Sequence, residues 1–487
     1  MRSNPQGHTS PLRWAVLAGL VALCSGAVLA AEPVWPQPAP GTATSDSRTS
    51  WWRPRQTLRT PPFQAPSATG CADTPAFTEV PGQQRQRGGM VLERAMYDRV
   101  PAAEAMAAAP AIPAPMPAPV VSASVAGKQA DVVLRLPRPR PQPTQGPVTA
   151  GVVDDNADFG GFMQFMQRNP EAQGIGADVS VRQRVQVRDA AGRPVPDAEV
   201  AVSGGGARFW VRTDAGGQAW VFPNAFDQRD THRYQVDVRS PAGTGRATLQ
   251  RGQKQVLEVV LNGTRAPARA QLDLVFMVDA TGSMSDEIDK LRSSLQDIVR
   301  QIGQLPSRPQ VCLGLVTYRD TSDEYLLRSW NLTDNVQAFQ QVLDKVRADG
   351  GGDYPEAMNP AFAHAVQKLS WRGQGTTRLL LTLADAPPHV DDATPHYPDT
   401  LHAAAGKGIK VLSVAASGQD RQGEAVQRQM AQYTGGRFIF LTYQDADNPA
   451  SGAGTQTSHD VSNYSVDTLD KLVVRLVSEE LAQLPQR

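Results

Sequence analysis

The chain has 487 residues, room for two or three domains, and its 48 Lys and Arg balance its 48 Asp and Glu. A formal net charge of zero excludes a nucleic-acid-binding protein that works through an overall basic surplus. The three cysteines, Cys24, Cys71 and Cys312, make neither a disulfide framework nor a zinc-ligand spacing.

Residues 1–31 read as an export signal. Arg2 and Arg13 precede an apolar run beginning at Trp14, and small residues close it, with Val28-Leu-Ala30 or Leu29-Ala-Ala31 before the cleavage point. An uncleaved anchor is the alternative, since about 17 apolar residues is the lower limit for a span. No later stretch is long and apolar enough to cross a bilayer, so any membrane contact is expected only through that anchor. Residues 32–151 are rich in Pro, Ala, Gln and Arg, as in Leu136-Pro-Arg-Pro-Arg-Pro-Gln-Pro143. Such a composition buries too little apolar surface to offset chain entropy, so a disordered or polyproline-like spacer is expected. Residues 152–177 hold a short helix and a connection, with Phe159, Phe162, Met163 and Met166 on one helical face.

Residues 178–263 alternate apolar and polar with period two, in short runs separated by Gly and Pro. Val185 and Val187, Val200 and Val202, Val236 and Val238 mark successive strands, and the pattern predicts a small β-sandwich. The phrases from Arg188 to Val200 and from Thr213 to Trp220 resemble carboxypeptidase-regulatory, transthyretin-like modules of exported bacterial proteins. That resemblance implies a spacing or docking role, with nothing catalytic.

From 268 to 487 the pattern changes to alternating strands and helices. Strands are predicted at 272–278, 311–318, 325–330 (an edge strand), 377–384, 409–416 and 437–441. Helices are predicted at 285–302, 334–348, 355–369, 399–406, 424–433 and 466–484. This alternation implies an α/β domain, a doubly wound and mostly parallel sheet covered on both faces. Ligands of such folds bind beyond the carboxyl ends of the strands.

Two predicted strands end in carboxylates there. Asp279-Ala-Thr281-Gly-Ser283 follows the first, and Asp385 follows the strand at 377–384. The loop Gly350-Gly-Gly-Asp353-Tyr-Pro-Glu356 precedes a helix and can approach the same crevice. Carboxylate and hydroxyl oxygens suit a hard divalent cation, Mg²⁺ first, with Mn²⁺ or Ca²⁺ as alternatives.

On these residues the region resembles a von Willebrand factor A domain. Asp279, Thr281 and Ser283 match its Asp-x-Ser-x-Ser motif with Thr in the first Ser place, and Asp385 matches the Asp that completes the metal-ion-dependent adhesion site. The family's second loop commonly supplies a Thr; here Asp353 stands as the expected ligand. Glu356 is second choice, because a helix start would turn it away. Three carboxylates around one divalent ion leave about one net negative charge, so the ion would be held tightly but attract a partner's carboxylate less.

The loop from Tyr318 through Asp320 and Asp323 to Glu324 reads as a solvated acidic turn. His389, Asp391, Asp392, His396 and His402 lack the recurrent spacing of a metal site. No nucleophile–base pair or phosphate-cradling loop is legible, so no catalytic residues and no enzyme are expected. The expected function is an exported, cation-dependent protein-binding module of the periplasm or cell surface, its partner offering an oxygen ligand. A metal-independent envelope scaffold or a metal-assisted envelope hydrolase is the alternative.

Overall fold

The computed structural model describes residues 68, 70–83, 147–169, 174–286, 288–352, 354–373, 375–390 and 395–485. The signal at 1–31, Cys24, Asp391, Asp392 and Asp353 lie outside them.

Two strands come from the stretch expected to be spacer, and that expectation is corrected. β1 (Phe77–Pro81) and β2 (Thr149–Val153) both pair into the large sheet of the C-terminal region. Neither has a long apolar run; partner strands elsewhere in the chain supply the hydrogen bonds that make them strands. Helix α1 (Phe159–Arg168) follows, capped by Asp158, whose carboxylate accepts from the Gly161 N–H at 3.0 Å. Phe162, Phe165 and Met166 are its fully buried side chains, a face turned slightly from the expected one.

Seven strands then form two sheets. β3 (Gln183–Arg188), β4 (Glu199–Gly204), β5 (Ala207–Arg212), β6 (Gln218–Val221), β7 (Arg233–Ser240), β8 (Gly243–Gln250) and β9 (Leu257–Val260) divide into a three-stranded β6-β3-β9 sheet and a four-stranded β5-β4-β7-β8 sheet. A short helix, α2 (Pro223–Phe226), lies between β6 and β7. Alternate residues such as Val185, Val187, Val200, Val202, Val236 and Val238 are all buried, as period-two patterning requires.

The C-terminal region supplies β10 (Gln271–Asp279), α3 (Ile288–Gly303), β11 (Gln310–Tyr318), β12 (Tyr325–Thr333), α4 (Val336–Leu343), α5 (Met358–Gln367), β13 (Thr377–Ala384), α6 (Tyr397–Lys407), β14 (Ile409–Ala415), α7 (Arg421–Thr434), β15 (Arg437–Asp445), β16 (Asn448–Ala453), β17 (Val466–Thr468) and α8 (Leu469–Ala482). The sheet order is β1-β12-β11-β10-β13-β14-β15-β2-β17, with β16 hairpinned onto β15. β11, β10, β13, β14 and β15 run parallel, while β12, β1, β2 and β17 are antiparallel additions at the two sides. The C-terminal helix was expected from 466; its first three residues pair with β2 instead.

β10 is covered on both faces, which explains its unbroken apolar run. Leu274, Phe276 and Val278 pack with Leu291, Leu295 and Ile298 of α3 and with Leu472 and Val473 of α8. Val275 and Met277 face the other way, into a cluster with Phe362 and Val366 of α5. That second cluster continues through Leu401 and Tyr433 into Phe209, Phe222 and Tyr234 of the seven-stranded module, so one core spans both. Polar contacts reinforce the join. Asp197, in the β3–β4 connection, accepts from Arg378 at 2.8 Å and Arg212 at 3.1 Å, and all three are buried. Lys410 reaches Glu480 at 2.6 Å and Asp214 at 3.2 Å. These joints involve the beginnings of β13 and β14, the end of the sheet opposite Asp279 and Asp385.

Cys71 and Cys312 form a disulfide at a sequence separation of 241 and a Cα–Cα distance of 6.0 Å. The expectation that the cysteines build no such framework is corrected for this pair. Their spacing carries no local signal, because only the pairing of β1 beside β12 brings them together. The bond, the Glu79–Arg328 ion pair at 2.8 Å and Thr333 Oγ1 donating to the Asp73 carbonyl at 3.0 Å hold the outer strand on the sheet. Cys71→Ser should therefore cost about 2–4 kcal/mol of stability, the usual worth of a disulfide closing a long loop. Urea unfolding of oxidised wild type against this variant measures it. Equal midpoints would show that the strap holds without the bond.

Candidate metal centre

Asp279 is the last residue of β10 and has no exposed surface. Chain reversal immediately after it turns Thr281 back, so that the Thr281 N–H and Oγ1 both donate to Asp279 Oδ1, at 3.0 and 2.7 Å. Thr281 Oγ1 lies 3.1 Å from Ser283 Oγ. Ser283 belongs to a 3₁₀ turn, Gly282–Asp286, that leads into α3, so the expected helix starts one turn later. β13 pairs directly with β10, with Val278 opposite Leu383. This places Asp385, buried and just past β13, at the strand end next to Asp279. Four of the five predicted ligands, Asp279, Thr281, Ser283 and Asp385, thus share one crevice.

The glycine loop closes over it. The Gly282 N–H donates to the Gly350 carbonyl at 2.9 Å, and the Asp349 N–H to the Ala280 carbonyl at 3.0 Å. Gly350 and Gly351 have φ of 76° and 68°, a left-handed conformation that glycine adopts without strain. A Cβ on Gly351 would stand 3.0 Å from Glu356 Oε1 and 3.1 Å from the Thr281 Cβ, so glycine is needed for this close approach.

Glu356 was expected to be turned away by a helix start at 355. That reason is corrected: α5 begins at Met358, and Glu356 lies in an extended bridge opposite Pro388, its N–H donating to the Pro387 carbonyl at 3.0 Å. Glu356 is 4% exposed. Burial, followed by the charges of Asp279, Asp320, Asp323 and Asp385, pushes its pKa up to about 9. Burial, then Asp385, pushes Asp279 up to about 7 although the Thr281 N–H and hydroxyl favour its charged form. Tyr318, paired with Asp279 in the β10–β11 register, is raised further by its burial and by the same acids. Strand alignment alone would have flagged Tyr318, since β10 and β11 end together.

The loop after β11 is not the solvated turn expected from its polarity. Arg319, Asp320 and Asp323 are buried. Asp320 Oδ1 lies 2.6 Å from His389 Nε2, and Asp323 Oδ2 accepts from the Asp320 and Gly351 N–H groups at 3.0 and 2.9 Å. Burial opposes the charge on Asp320, but the His389 ring and neighbouring backbone N–H groups hold its pKa low. Its job is to tie together the loops that frame the crevice. His402 lies elsewhere, buried between α6 and the module, with Nδ1 2.6 Å from the Tyr433 hydroxyl.

The donors fit a hard cation. Glu356 Oε2 is buried without a hydrogen-bond partner among the described residues, and Asp279 is buried beside Asp385; carboxyls crowded in this way repel one another until a positive charge joins them. Among the described residues, three His, Cys, Asp or Glu ligand atoms within 4.8 Å of one another occur at Cys71, Asp273 and Cys312. There the disulfide removes the thiolates a metal needs. At the Asp279 crevice the described carboxylates do not make such a group by themselves, and the Thr281 and Ser283 hydroxyls add to the oxygen set.

Residues 273–443 match the family model of the von Willebrand factor A domain. The putative ariadne-like RING finger protein R811 of Acanthamoeba polyphaga mimivirus is 33% identical over 121 residues, 25% of this chain and 12% of that protein. Alpha-protein kinase vwkA of Dictyostelium discoideum is 26% identical over 138 residues, 28% of this chain and 22% of its own length. Integrin beta-4 of Homo sapiens is 27% identical over 169 residues, 30% of this chain and 9% of its own. The chain thus spans between 9% and 22% of the length of these relatives. Among solved structures, the pilus adhesin SpaC of Lactobacillus rhamnosus GG in its open conformation aligns over 43% of this chain and 31% of that one, at 14% identity and a TM-score of 0.26. Among the described residues, no helix is long and apolar enough to cross a membrane.

Proposed function

Since residues 273–443 form a von Willebrand factor A domain, we propose that the chain is an exported protein-binding module whose grip on its partner depends on a divalent cation. The observation that carries this reading is the buried Asp279 carboxylate, with one oxygen fixed by Thr281 and the whole group crowded against the Asp385 carboxylate and the Tyr318 hydroxyl. Asp279, Thr281, Ser283 and Asp385 would hold the ion, with Asp353 and Glu356 from the glycine loop adding charge. Mg²⁺ suits this oxygen set best, and Mn²⁺ or Ca²⁺ are the alternatives. When bound, the ion supplies an electrophilic point for an oxygen of the partner. The chain's own residues do the rest: they keep the donors dry, orient the hydroxyls and set the net charge.

The Cys71–Cys312 disulfide supports export, because such bonds persist in oxidising compartments. No residue is assigned a catalytic role. The test is capture of envelope proteins by the full chain with Mg²⁺ and with chelator. Partners retained with Mg²⁺ and lost with chelator are expected. Identical capture in both would replace this reading with a metal-independent scaffold, and turnover of an ester or phosphoester panel would favour the hydrolase alternative.

A further inference from the structure

The outer strap at the edge of the sheet lies outside residues 273–443, the stretch that matches the family model. At the amino-terminal side of the parallel strands, Cys71 is bonded to Cys312 near the start of β11, and the Ala72 N–H donates to the Leu332 carbonyl at 3.3 Å. β1 then runs beside β12 as far as Pro81, which pairs with Tyr325, the first residue of β12. β12 is antiparallel to β11, so its start lies beside Tyr318 at the carboxyl end of β11, and Tyr318 pairs with Asp279. The strap therefore spans the sheet from the disulfide to the end that carries the metal crevice.

Its far end is fitted to the acidic loop. The Gly82 N–H donates to the Glu324 carbonyl at 3.0 Å, and the Gln83 N–H to the Thr321 carbonyl at 2.9 Å. Gly82 is buried, and a Cβ there would collide with the Asp323 carbonyl group, so only glycine allows this approach. From Asp323 the contact passes on to the glycine loop, through its carboxylate and the Gly351 N–H at 2.9 Å. The Gly350 carbonyl then accepts from the Gly282 N–H beside Thr281. A second thread runs through side chains. Glu79 of β1 pairs with Arg328, whose guanidinium lies 3.8 Å from the Tyr325 ring centroid, and the Arg319 guanidinium lies 4.4 Å from the same ring. The Arg319 carbonyl accepts from the Ala357 N–H at 3.3 Å, next to Glu356.

We infer that the strap positions the metal crevice, and that the oxidation state of Cys71 and Cys312 sets how tightly the crevice holds its cation. This coupling rests on the cation-dependent reading proposed above. Without the disulfide, the strap is held by the short β1 ladder and a few polar contacts, so it opens more readily than the central strands. An open strap releases Gly82 from Asp323, the donors are preorganised in a smaller share of molecules, and the apparent affinity falls with that share. Thiol–disulfide exchange balances the oxidation. The two cysteines form the S–S bond, and their two electrons and two protons pass to an external disulfide, which leaves as a dithiol. Cys71 is the sulfur that reagent reaches, since it is partly exposed whereas Cys312 is buried. An exported chain thus completes its cation site on oxidation, once it has left reducing surroundings.

The experiment compares the full chain oxidised and held reduced by excess dithiol. Isothermal titration calorimetry measures Mg²⁺ affinity, and amide hydrogen exchange is followed without cation. Reduction, and Gly82→Val with the disulfide intact, should each weaken Mg²⁺ binding at least about fivefold. Both should also speed exchange at the Asp320 and Gly351 amides. Arg378→Ala, which loosens the opposite end of the sheet, should leave the Mg²⁺ affinity of the folded protein unchanged, so general destabilisation is told apart from loss of the strap. Affinities within about twofold for the oxidised and reduced chains would overturn the coupling. Unchanged exchange on reduction would overturn the role of the strap whether or not Mg²⁺ binds. Oxidised wild type that takes up no Mg²⁺ would remove the cation reading, and the affinity claim with it. Should Gly82→Val fold poorly, Cys71→Ser takes its place under the same expectations.

Discussion

Asp279→Ala should lower divalent-cation affinity by about 100-fold or more, equivalent to about 2.7 kcal/mol. Asp279 is buried at a strand end, Thr281 is oriented by it, and Asp385 lies next to it. Removing it deletes a donor and also frees the Thr281 hydroxyl from the position it needs. Without the cation the variant should be at least as stable as wild type, because a buried carboxyl under repulsion from Asp385 has been removed. The two effects are separated by melting each protein with and without Mg²⁺. A ligand that binds only the folded state raises the melting temperature by mass action, so the wild type should shift and the variant should not. A matching Mg²⁺ shift in both proteins would reject Asp279 as a ligand. In the same series Asp353→Thr should bind the cation less tightly and the partner more tightly, because one negative charge leaves the site. Unchanged cation affinity with no gain in partner affinity would refute the extra-carboxylate argument.

Arg378→Ala should destabilise the chain by about 3–5 kcal/mol, the usual consequence of leaving a buried charge without its partner. Arg378 joins β13 to the module by donating to both Asp197 oxygens, at 2.8 and 3.2 Å, and to the Lys407 carbonyl at 2.9 Å. Burial alone would raise the Asp197 pKa, but Arg378 and Arg212 together hold it below the usual carboxylate range. A depressed folded-state pKa means that Asp197 contributes its stability above its unfolded pKa of about 4 and loses it as pH falls further. The gap between wild type and Arg378→Ala should therefore be widest near neutral pH and narrow in acid below about pH 4. Urea midpoints across this range give the measurement. Asp197→Asn combined with Arg378→Met should recover much of the loss, since an uncharged pair needs no compensation. A loss well under about 1 kcal/mol would mean that the Asp197 joint adds little to the packing between the module and the sheet.

Both variants bear on how the chain is organised. The sequence pattern suggests a module strung between a spacer and a binding domain. Instead the module shares a core with helices α6 and α7 through Phe209, Phe222, Leu401 and Tyr433. Phe222 and Tyr433 stack at 4.6 Å between ring centroids, and Phe209 meets His402 edge-on at 5.7 Å. Burial lowers the His402 pKa to about 4, so it packs there as a neutral ring. Movements of the module relative to the metal crevice would have to break this layer as well as the Asp197 joint. The module is packed into the same core as the sheet that carries the crevice.

What could be read without coordinates was everything that depends on neighbours along the chain. A strand buried on both faces must be apolar throughout, so β10 and β13 announce themselves, and the polar residues that end them stand out. Asp279, Thr281 and Ser283 are two residues apart, and a single turn suffices to bring them together. Only the tertiary structure decided the rest, because it depends on segments far apart in the chain. β1 and β2 are strands by virtue of β12 and β15, and Cys71 finds Cys312 across 241 residues. Glu356 enters the crevice because Pro387 and Pro388 hold its backbone extended before the helix begins. The acidic loop after β11 is buried because His389 and Gly351 satisfy its carboxylates. Local pattern reports the faces and ends of an element; which distant groups will meet there is settled by the packing free energy of the whole fold.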